Sequence, residues 1–175
     1  HYRLGLPIGI LQSDRLFEAL SPVSGRPIPE KYMSQRGRLL DAMVDGHKHL
    51  NGVRVAIFGE EDLVAGLAAY CSELGVIPVL CATGGGNGRF ADAVRSVVPE
   101  SFHPRMQILE DVDFVTIEKT LEKMDVDLLI GHSKGYTLSR RLRRPLIRVG
   151  FPVHDRVDGS RLLHVGYRGA QQLFD

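Results

Sequence analysis

The chain has 175 residues, a formal net charge of +1 at pH 7, 25% charged residues and no tryptophan. This length suffices for one domain with a hydrophobic core that needs no disulfide or metal to hold it together. The near-neutral charge gives no reason to expect binding to nucleic acid or to a membrane surface. No apolar run approaches the roughly 20 residues of a membrane span, and no signal peptide is recognisable. Because the chain begins with His1 instead of Met, we expect it to be a fragment of a larger subunit.

Residues 1–50 are predicted to form a helical lead-in within a single domain that covers residues 1–175. The predicted elements are an opening strand or extended segment at 4–10, a short helix at 15–20 and a long helix at 30–49. Ser13 or Asp14 would cap the short helix. Pro29 would open the long helix, and Asn51 with Gly52 would end it. The apolar stripe of the long helix would consist of Tyr32, Leu39, Leu40, Met43 and Val44.

Residues 53–149 alternate between strand and helix patterns. The predicted strands are 53–58, 76–82, 107–109, 127–130 and 146–149, and the predicted helices between them are 62–74, 89–98, 113–123 and 136–142. A final helix would begin at Tyr167 and be cut off at the end of the chain. This alternation is typical of right-handed βαβ units. It therefore predicts an α/β fold, a Rossmann-like three-layer αβα sandwich with a mainly parallel sheet.

The first turn from strand to helix argues against nucleotide binding. A dinucleotide site needs several glycines here, so that a pyrophosphate can approach the helix N-terminus. This turn has one glycine, Gly59, followed by the carboxylates of Glu60, Glu61 and Asp62. Carboxylates satisfy the helix dipole themselves and repel phosphate. The sequence thus favours a Rossmann shape that binds no nucleotide.

Polar residues after the later strands are candidates for a binding site, because ligands and partners bind at the carboxyl ends of parallel strands. Loop 131–135 offers His132, Ser133 and Lys134, which could bind an anion, form a nucleophile pair with a third group, or only cap a helix. Loop 151–156 offers His154 and Arg156 after the Phe151–Pro152 turn. The glycines of loop 84–88 could form an anion nest or simply a mobile loop.

Three further clusters have a structural and a functional interpretation. Asp41, Asp45 and His49 share one face of the long helix, and could start a metal site, form a solvated stripe, or share a metal across a subunit interface. Cys71 and Cys81 are predicted to be buried thiols, because two cysteines without close spacing cannot hold an iron–sulfur cluster unaided. A basic cluster could be a solvated helix face or could engage an acidic partner or an anionic cofactor; it comprises Arg140, Arg141, Arg143 and Arg144.

Several stretches, in order along almost the whole chain, resemble the C-terminal domain of β-type subunits in the nitrogenase component 1 family. They are GLPIG at 5–9 followed by Ser13 and Asp14, SGRPIP at 24–29, RGRLLDAMVDGH at 36–47, FGEEDLV at 58–64, GHSKG at 131–135, IRVGFPVHDR at 147–156 and GYRG at 166–169. Two branches share these motifs: the N-type subunit of the scaffold for iron–molybdenum cofactor biosynthesis, and the β subunit of the catalytic molybdenum–iron protein. His132 and residues 41–47 look more like the scaffold, and the catalytic subunit tends to have Asn in place of His132. The resemblance therefore favours the scaffold subunit, with the catalytic β subunit as the alternative.

The resemblance implies a cytoplasmic subunit of three Rossmann-like domains. Such a subunit pairs with an α-type or E-type partner, joins a second β-type subunit in a heterotetramer, and works with an iron protein reductase. It belongs to a molybdenum, vanadium or iron-only system and handles an iron–sulfur cluster and the iron–molybdenum cofactor or its precursor. The cluster cysteines belong to an N-terminal domain, so this chain is expected to hold no cofactor and to catalyse nothing alone.

The resemblance also bears on single residues. Asp41 and Asp45 match aspartates that help bind a metal between β subunits of the catalytic relative. We regard His132, Ser133, Lys134, His154 and Arg156 as interface or anion candidates. A third possibility, from another class of protein, is a stand-alone Rossmann domain that binds a small ligand at residues 83–88 or 131–135.

Overall fold

The structure, a computed structural model, describes residue 2 and residues 4–175. Its strands are β1 (Arg54–Phe58), β2 (Ile77–Ala82), β3 (Gln107–Leu109), β4 (Leu128–Gly131) and β5 (Leu146–Arg148). Its α-helices are α1 (Gly9–Ser24), α2 (Glu30–Leu50), α3 (Glu61–Glu73), α4 (Phe90–Val97), α5 (Phe114–Leu121), α6 (Gly135–Leu142) and α7 (Gly166–Phe174), with 3-10 turns at Glu100–Arg105 and Gly159–Arg161. Over the described part of the chain, no helix is both long and apolar enough to cross a membrane.

The five strands form one parallel sheet in the order β3-β2-β1-β4-β5. β1 lies at its centre, where Ile57 is opposite Cys81 of β2 and Ile130 of β4. After β3 the chain crosses back over the sheet to place β4 on the other side of β1. In such sheets the crevice at the carboxyl ends of the two strands flanking this reversal is the usual ligand site. The predicted α/β fold with a parallel sheet is confirmed.

Helices cover both faces of the sheet, because side chains alternate between the two faces along each strand. Val55 and Ile57 of β1 belong to a hydrophobic core that also takes in buried residues of α1, α2, α3, α4 and α7. Ala56 and Phe58 belong to a second core, which α5 and α6 close with Ile117, Leu121 and Leu138. The molecule therefore has the three αβα layers.

The prediction for the first helix was wrong. Residues 4–8 are extended, but α1 begins at Gly9 and runs to Ser24, so that Ser13 and Asp14 lie inside the helix and do not cap it. The cap comes from α3, where the Glu73 carboxylate accepts hydrogen bonds from the backbone N–H groups of Ile10 (2.7 Å) and Leu11 (3.1 Å). Gly9 has φ of +85°, and a Cβ there would lie 2.7 Å from the Tyr70 ring.

Asp14 ties the two lead-in helices to α7. Its carboxylate accepts hydrogen bonds from Nε and Nη2 of Arg36 (2.9 Å each) and from the hydroxyl of Tyr167 (2.6 Å). Burial opposes the charge on Asp14, but these hydrogen bonds prevail and hold the pKa of its carboxyl below the usual value. Helices α1 and α2 thus dock on the domain through polar contacts as well as through the core.

The structure confirms the predicted position of the long helix, but only part of its predicted apolar stripe is buried. Leu39 is fully buried and Tyr32 and Met43 pack against the core, whereas Leu40 is 36% and Val44 76% exposed. The sequence pattern does not separate these residues, because all of them are apolar and lie on neighbouring rows of one helix. Leu40 and Val44 leave an apolar strip of α2 in contact with solvent.

Candidate functional site

Three rings pack together at the carboxyl ends of β1 and β4. We call Phe58, Phe114 and His132 the aromatic cluster. The ring centroid of Phe58 lies 5.4 Å from that of Phe114 and 5.3 Å from that of His132, and the centroids of Phe114 and His132 are 5.6 Å apart. These are the offset and edge-to-face distances at which aromatic pairs attract each other. Side chains of the chain itself thus take up part of the crevice at the switch of strand order.

Glycines make room for the Phe58 ring. A Cβ on Gly131 would lie 2.5 Å from Phe58 Cδ2 and 2.5 Å from the Phe58 carbonyl oxygen, and a Cβ on Gly135 would lie 2.5 Å from Phe58 Cζ. Real Cβ atoms do not approach other heavy atoms so closely. The two glycines of loop 131–135 are therefore needed for packing, which is a different reason from the phosphate approach that glycines serve in nucleotide sites.

His132 lies half-buried at the edge of this cluster. Burial, and the nearby charge of Lys134, lower the pKa of its imidazole, so the ring is neutral at pH 7. Its Nδ1 atom is enclosed and has no hydrogen-bond partner among the described residues. A shallow cleft of about 360 Å³ lies beside the ring, lined among others by Glu60, Asp113, Lys134 and Phe151. Its charged residues are of mixed sign, which gives no preference for an anion.

Ser133 holds two loops together. Its hydroxyl donates to the carbonyl oxygen of Pro152 (2.9 Å) and accepts from the backbone N–H of His154 (3.1 Å), while its own N–H donates to Pro152 (3.0 Å). Because these bonds use the hydroxyl as donor and as acceptor, the geometry gives it no base to activate it. The nucleophile interpretation of His132 and Ser133 finds no support in this arrangement.

The remaining candidates at this edge are exposed. His154 and Lys134 lie in the two loops joined by Ser133, so the structure brings them close to His132. Arg156 lies apart, on a cavity of about 660 Å³ that it shares with Asp158 and Leu162. Arg148 stabilises loop 151–156, because its Nε donates to both carboxylate oxygens of Asp155 (2.9 and 2.7 Å). These hydrogen bonds lower the pKa of the Asp155 carboxyl.

Carboxylates surround the glycine-rich loop 84–88. The N–H of Gly88 donates to Glu110 Oε1 (2.5 Å), the N–H of Gly85 to Thr83 Oγ1 (3.1 Å), and the Asn87 amide to the Glu61 carboxylate. An anion nest needs free N–H groups and a positive potential. This loop has neither at those positions, so the geometry gives no support to the anion-nest interpretation.

The two cysteines are buried in the core, as predicted. Burial raises the pKa of the Cys71 thiol to about 12 and raises that of Cys81 as well. A neutral thiol enclosed by apolar side chains is a poor metal ligand, since the thiolate is the ligating form. Within residue 2 and residues 4–175, no group of three His, Cys, Asp or Glu side chains is arranged to hold a metal ion. These donors do not fit an iron–sulfur cluster.

Asp41 and Asp45 lie on the exposed face of α2, far in sequence from the aromatic cluster. His49, the third residue of the predicted stripe, is exposed too. The helix places the two carboxylates one turn apart, beside the exposed strip formed by Leu40 and Val44. Two exposed carboxylates supply only part of the roughly six ligands of an oxygen-rich metal site, so the metal site at Asp41 and Asp45 stays a prediction.

Comparison with known proteins places these features in a family. The family described as nitrogenase component 1 type oxidoreductase matches residues 1–175. A nitrogenase molybdenum-iron protein beta chain of Methanothermobacter marburgensis is 34% identical over 171 residues, which are 97% of this chain and 37% of that one. A nitrogenase iron-iron protein beta chain of Rhodobacter capsulatus is 37% identical over 169 residues, 95% of this chain and 37% of that one.

A solved structure agrees. The structure titled "Nitrogenase Cp1 at pH 6.5" superposes with a TM-score of 0.93 and 32% sequence identity, and the match covers 98% of this chain and 37% of that chain. The chain thus spans little more than a third of the length of the relatives it matches.

Proposed function

Because this chain belongs to the nitrogenase component 1 type oxidoreductase family, we propose that it serves as one supporting domain of a longer β-type subunit in dinitrogen reduction. The observation that carries this proposal is the continuous match of 97% of the chain to 37% of a nitrogenase beta chain. Beta chains named for molybdenum-iron and iron-iron proteins match at 34% and 37% identity. Those similar values favour no metal type for this chain.

The geometry of the sheet supports a structural role. A domain that binds a substrate or nucleotide leaves the crevice at the switch of strand order open. Here Phe58, Phe114 and His132 occupy that crevice, and Glu60 and Glu61 place negative charge at the N-terminus of α3. The domain would contribute rigidity and contact surface, and the redox chemistry would belong to cofactors bound by other parts of the subunit and by its α-type partner.

The exposed face of α2 supports the assembly part of the proposal. Leu40 and Val44 expose apolar surface beside Asp41 and Asp45, on a helix whose other face is docked on α7. Single exposed apolar residues are ordinary. Together with the resemblance of residues 36–47, however, this strip is where we propose contact with a second β-type subunit, with Asp41 and Asp45 as part of a shared metal site.

A second candidate is the scaffold for cofactor biosynthesis. Two features of the sequence favour it: residues 41–47, and His132, which takes the place where the resemblance gives the catalytic branch an Asn. The His132 ring packs against both phenylalanines of the aromatic cluster, so it belongs to the packing of the crevice. In this alternative the domain would have the same supporting role, in a complex that matures the iron–molybdenum cofactor without reducing dinitrogen.

The complete subunit, co-produced with its α-type partner, separates the two candidates. The purified complex would be assayed for acetylene reduction with an iron protein, ATP and dithionite, and for transfer of its cofactor to a cofactor-free molybdenum–iron protein. We expect acetylene reduction. Transfer without reduction would assign the scaffold role, and a complex that does neither would contradict the proposal. The same complex prepared without cofactor is the control for both assays.

A further inference from the structure

The turn between α6 and β5 carries three arginines on a well-fixed backbone. Arg143 ends the helix in the left-handed conformation, with φ of 55° and ψ of 41°. The N–H of Arg144 donates to the carbonyl oxygen of Ser139 (3.0 Å), and the Ser139 hydroxyl donates to the carbonyl oxygen of Arg144 (2.6 Å). Pro145 follows at once and fixes its own φ. Hydrogen bonds between Ser139 and Arg144 therefore fix the backbone that carries Arg140, Arg143 and Arg144.

These three arginines line one cavity. It has a volume of about 440 Å³, and its walls are Ser139, Arg140, Arg143, Arg144 and Pro145. The neighbouring Arg141 points elsewhere and pairs with Glu118 (3.3 Å) and Glu122 (3.1 Å) of α5 and its C-terminus. None of the three cavity arginines pairs with a carboxylate among the residues that the structure describes.

Two carboxylates at this end of the sheet, Asp125 and Asp127, already pair with Arg54. Hydrogen bonds from the side chain and the backbone N–H of Arg54 lower the pKa of the Asp127 carboxyl to about 2, and the charge of Arg144 adds a smaller effect in the same direction. Asp125 pairs with the same guanidinium of Arg54. The three arginines of the cavity are thus left without these carboxylates, because Arg54, which lies outside the cavity, binds both of them.

We propose that the cavity of Arg140, Arg143 and Arg144 binds a small polyvalent oxyanion, such as a diphosphate or a tricarboxylate. Guanidinium groups match the oxygen pairs of phosphate and carboxylate with two parallel hydrogen bonds, and they remain charged at any physiological pH. Three of them around one cavity favour a ligand with two or more negative groups over a monovalent one. The walls contain no aromatic ring on which a base could stack, so the anionic part of a ligand is what the site recognises.

The arginines at the end of α6 also stabilise the helix dipole, which is sufficient reason for one cation in the last turn. It does not account for a cavity lined by three.

The test is calorimetric titration of the 175-residue chain at low salt with pyrophosphate, propane-1,2,3-tricarboxylate and orthophosphate. A triple variant, Arg140→Gln with Arg143→Gln and Arg144→Gln, removes the cavity charges. A matched variant removes the same charge from three exposed arginines elsewhere, by Arg38→Gln, Arg95→Gln and Arg168→Gln. Circular dichroism and thermal melting establish that each variant is folded.

We expect pyrophosphate or the tricarboxylate to bind with one-site stoichiometry and about tenfold more tightly than orthophosphate, because a second anionic group adds charge-assisted hydrogen bonds. The stronger of the two ligands identifies the chemistry. The cavity variant should lose about tenfold or more in affinity, and the matched variant about twofold or less, since only long-range attraction changes there. Equal losses in both variants, or polyvalent and monovalent anions bound alike, would overturn the proposal. If the cavity variant does not fold, chemical-shift changes of the Ser139–Arg144 amides in the wild-type chain decide, because binding at this site must perturb them.

Discussion

The two edges of the sheet differ in a way that inverts the usual arrangement of this fold. At the carboxyl edge, where related architectures bind ligands, Phe58, Phe114 and His132 fill the crevice and Glu60 and Glu61 repel anions. At the amino edge, Arg54 binds Asp125 and Asp127, and three more arginines line an open cavity. The edge that usually carries the chemistry is narrowed by packed rings and lined by carboxylates, with a cleft of about 360 Å³ left beside His132, and the edge that is usually structural carries arginines that pair with no carboxylate among the described residues.

This contrast shows how a fold can keep its topology while its binding site is turned into packing. The order β3-β2-β1-β4-β5 depends on the apolar strands and their crossovers, and these are indifferent to what lies in the crevice. An aromatic ring at the end of β1, with glycines opposite to accommodate it, packs with two further rings into part of this space. Fold alone therefore tells little about binding, and the site residues decide.

The largest expected effect comes from opening the closed edge. Phe58→Ala removes a fully buried ring that touches Phe114 and His132, and we expect it to lower the free energy of unfolding by about 3–5 kcal/mol. Urea denaturation measures this loss. Phe151→Ala is the control, because Phe151 is 77% exposed in the loop nearby and should change stability by less than about 0.5 kcal/mol. Similar losses for both variants would mean that the ring of Phe58 is not a packing element.

Gly131→Ala tests the close contact between Gly131 and Phe58. The new methyl group would lie 2.5 Å from the Phe58 carbonyl oxygen, which cannot move without disturbing β1, so we expect a loss of about 1–3 kcal/mol or more. Gly37→Ala is the matched control, since a Cβ there meets nothing within 4 Å on the exposed side of α2. It should stabilise the protein by about 0.5–1 kcal/mol. A neutral Gly131→Ala in the same denaturation assay would contradict the proposed reason for this glycine.

A smaller effect, outside both edges, concerns the cap of α1. Burial raises the pKa of Glu73 to about 7, against an ordinary value of 4.5, even though hydrogen bonds from Ile10 and Leu11 favour its charge. A raised pKa in the folded state gives stability that is present below pH 4.5 and is lost as the pH rises towards 7. The slope is at most about 1.4 kcal/mol per pH unit.

Unfolding of Glu73→Gln, followed from pH 4 to pH 8, should lack this loss of stability. Glu100→Gln, an exposed carboxyl at the start of a 3-10 turn, should keep the wild-type pH profile. A profile of Glu73→Gln that runs parallel to the wild-type curve would show that Glu73 does not titrate in this range.

The smallest effect is expected at His132 and has the opposite sign. Burial lowers the pKa of this imidazole below its usual value of 6.5. Its contribution to stability is therefore present above pH 6.5 and lost as the pH falls through the lowered folded-state pKa. His132→Asn should remove part of this loss at low pH, and the similarly buried His164 contributes in the same direction. Nuclear magnetic resonance titration of the two imidazoles checks the direction, and a His132 pKa at or above 6.5 would contradict it.

The sequence predicts the sheet well because its signals are local. Short apolar runs mark the strands, and Gly59 and Gly150 follow directly after two of them. The cap of α5 is equally local, because Asp113 accepts a hydrogen bond from the N–H of Thr116. The absence of further glycines after Gly59 predicts a turn without phosphate binding for a reason that needs no tertiary structure. The resemblance to a family depends on motifs of the same local kind.

The start of α1 and the aromatic cluster escape prediction because their causes are distant in sequence. The cap of α1 comes from Glu73, 63 residues away from Ile10, so the apolar residues 4–10 give no sign that a helix begins at Gly9. Phe58, Phe114 and His132 each have an ordinary local explanation as a strand end, a helix residue and a loop residue. Only the crossover between β3 and β4 brings them together.

The central claim, that the carboxyl edge is closed to nucleotides, is tested most directly by nuclear magnetic resonance titration of the chain with ADP. We predict no saturable shift at the amides of Gly59, Thr83 and Gly131 up to millimolar ADP, and any shifts at the amino edge, in the turn Ser139–Arg144, where the cavity arginines lie. Saturable shifts centred on Gly59 and Gly131 would contradict the account, because they would show that the aromatic cluster yields its place to a nucleotide.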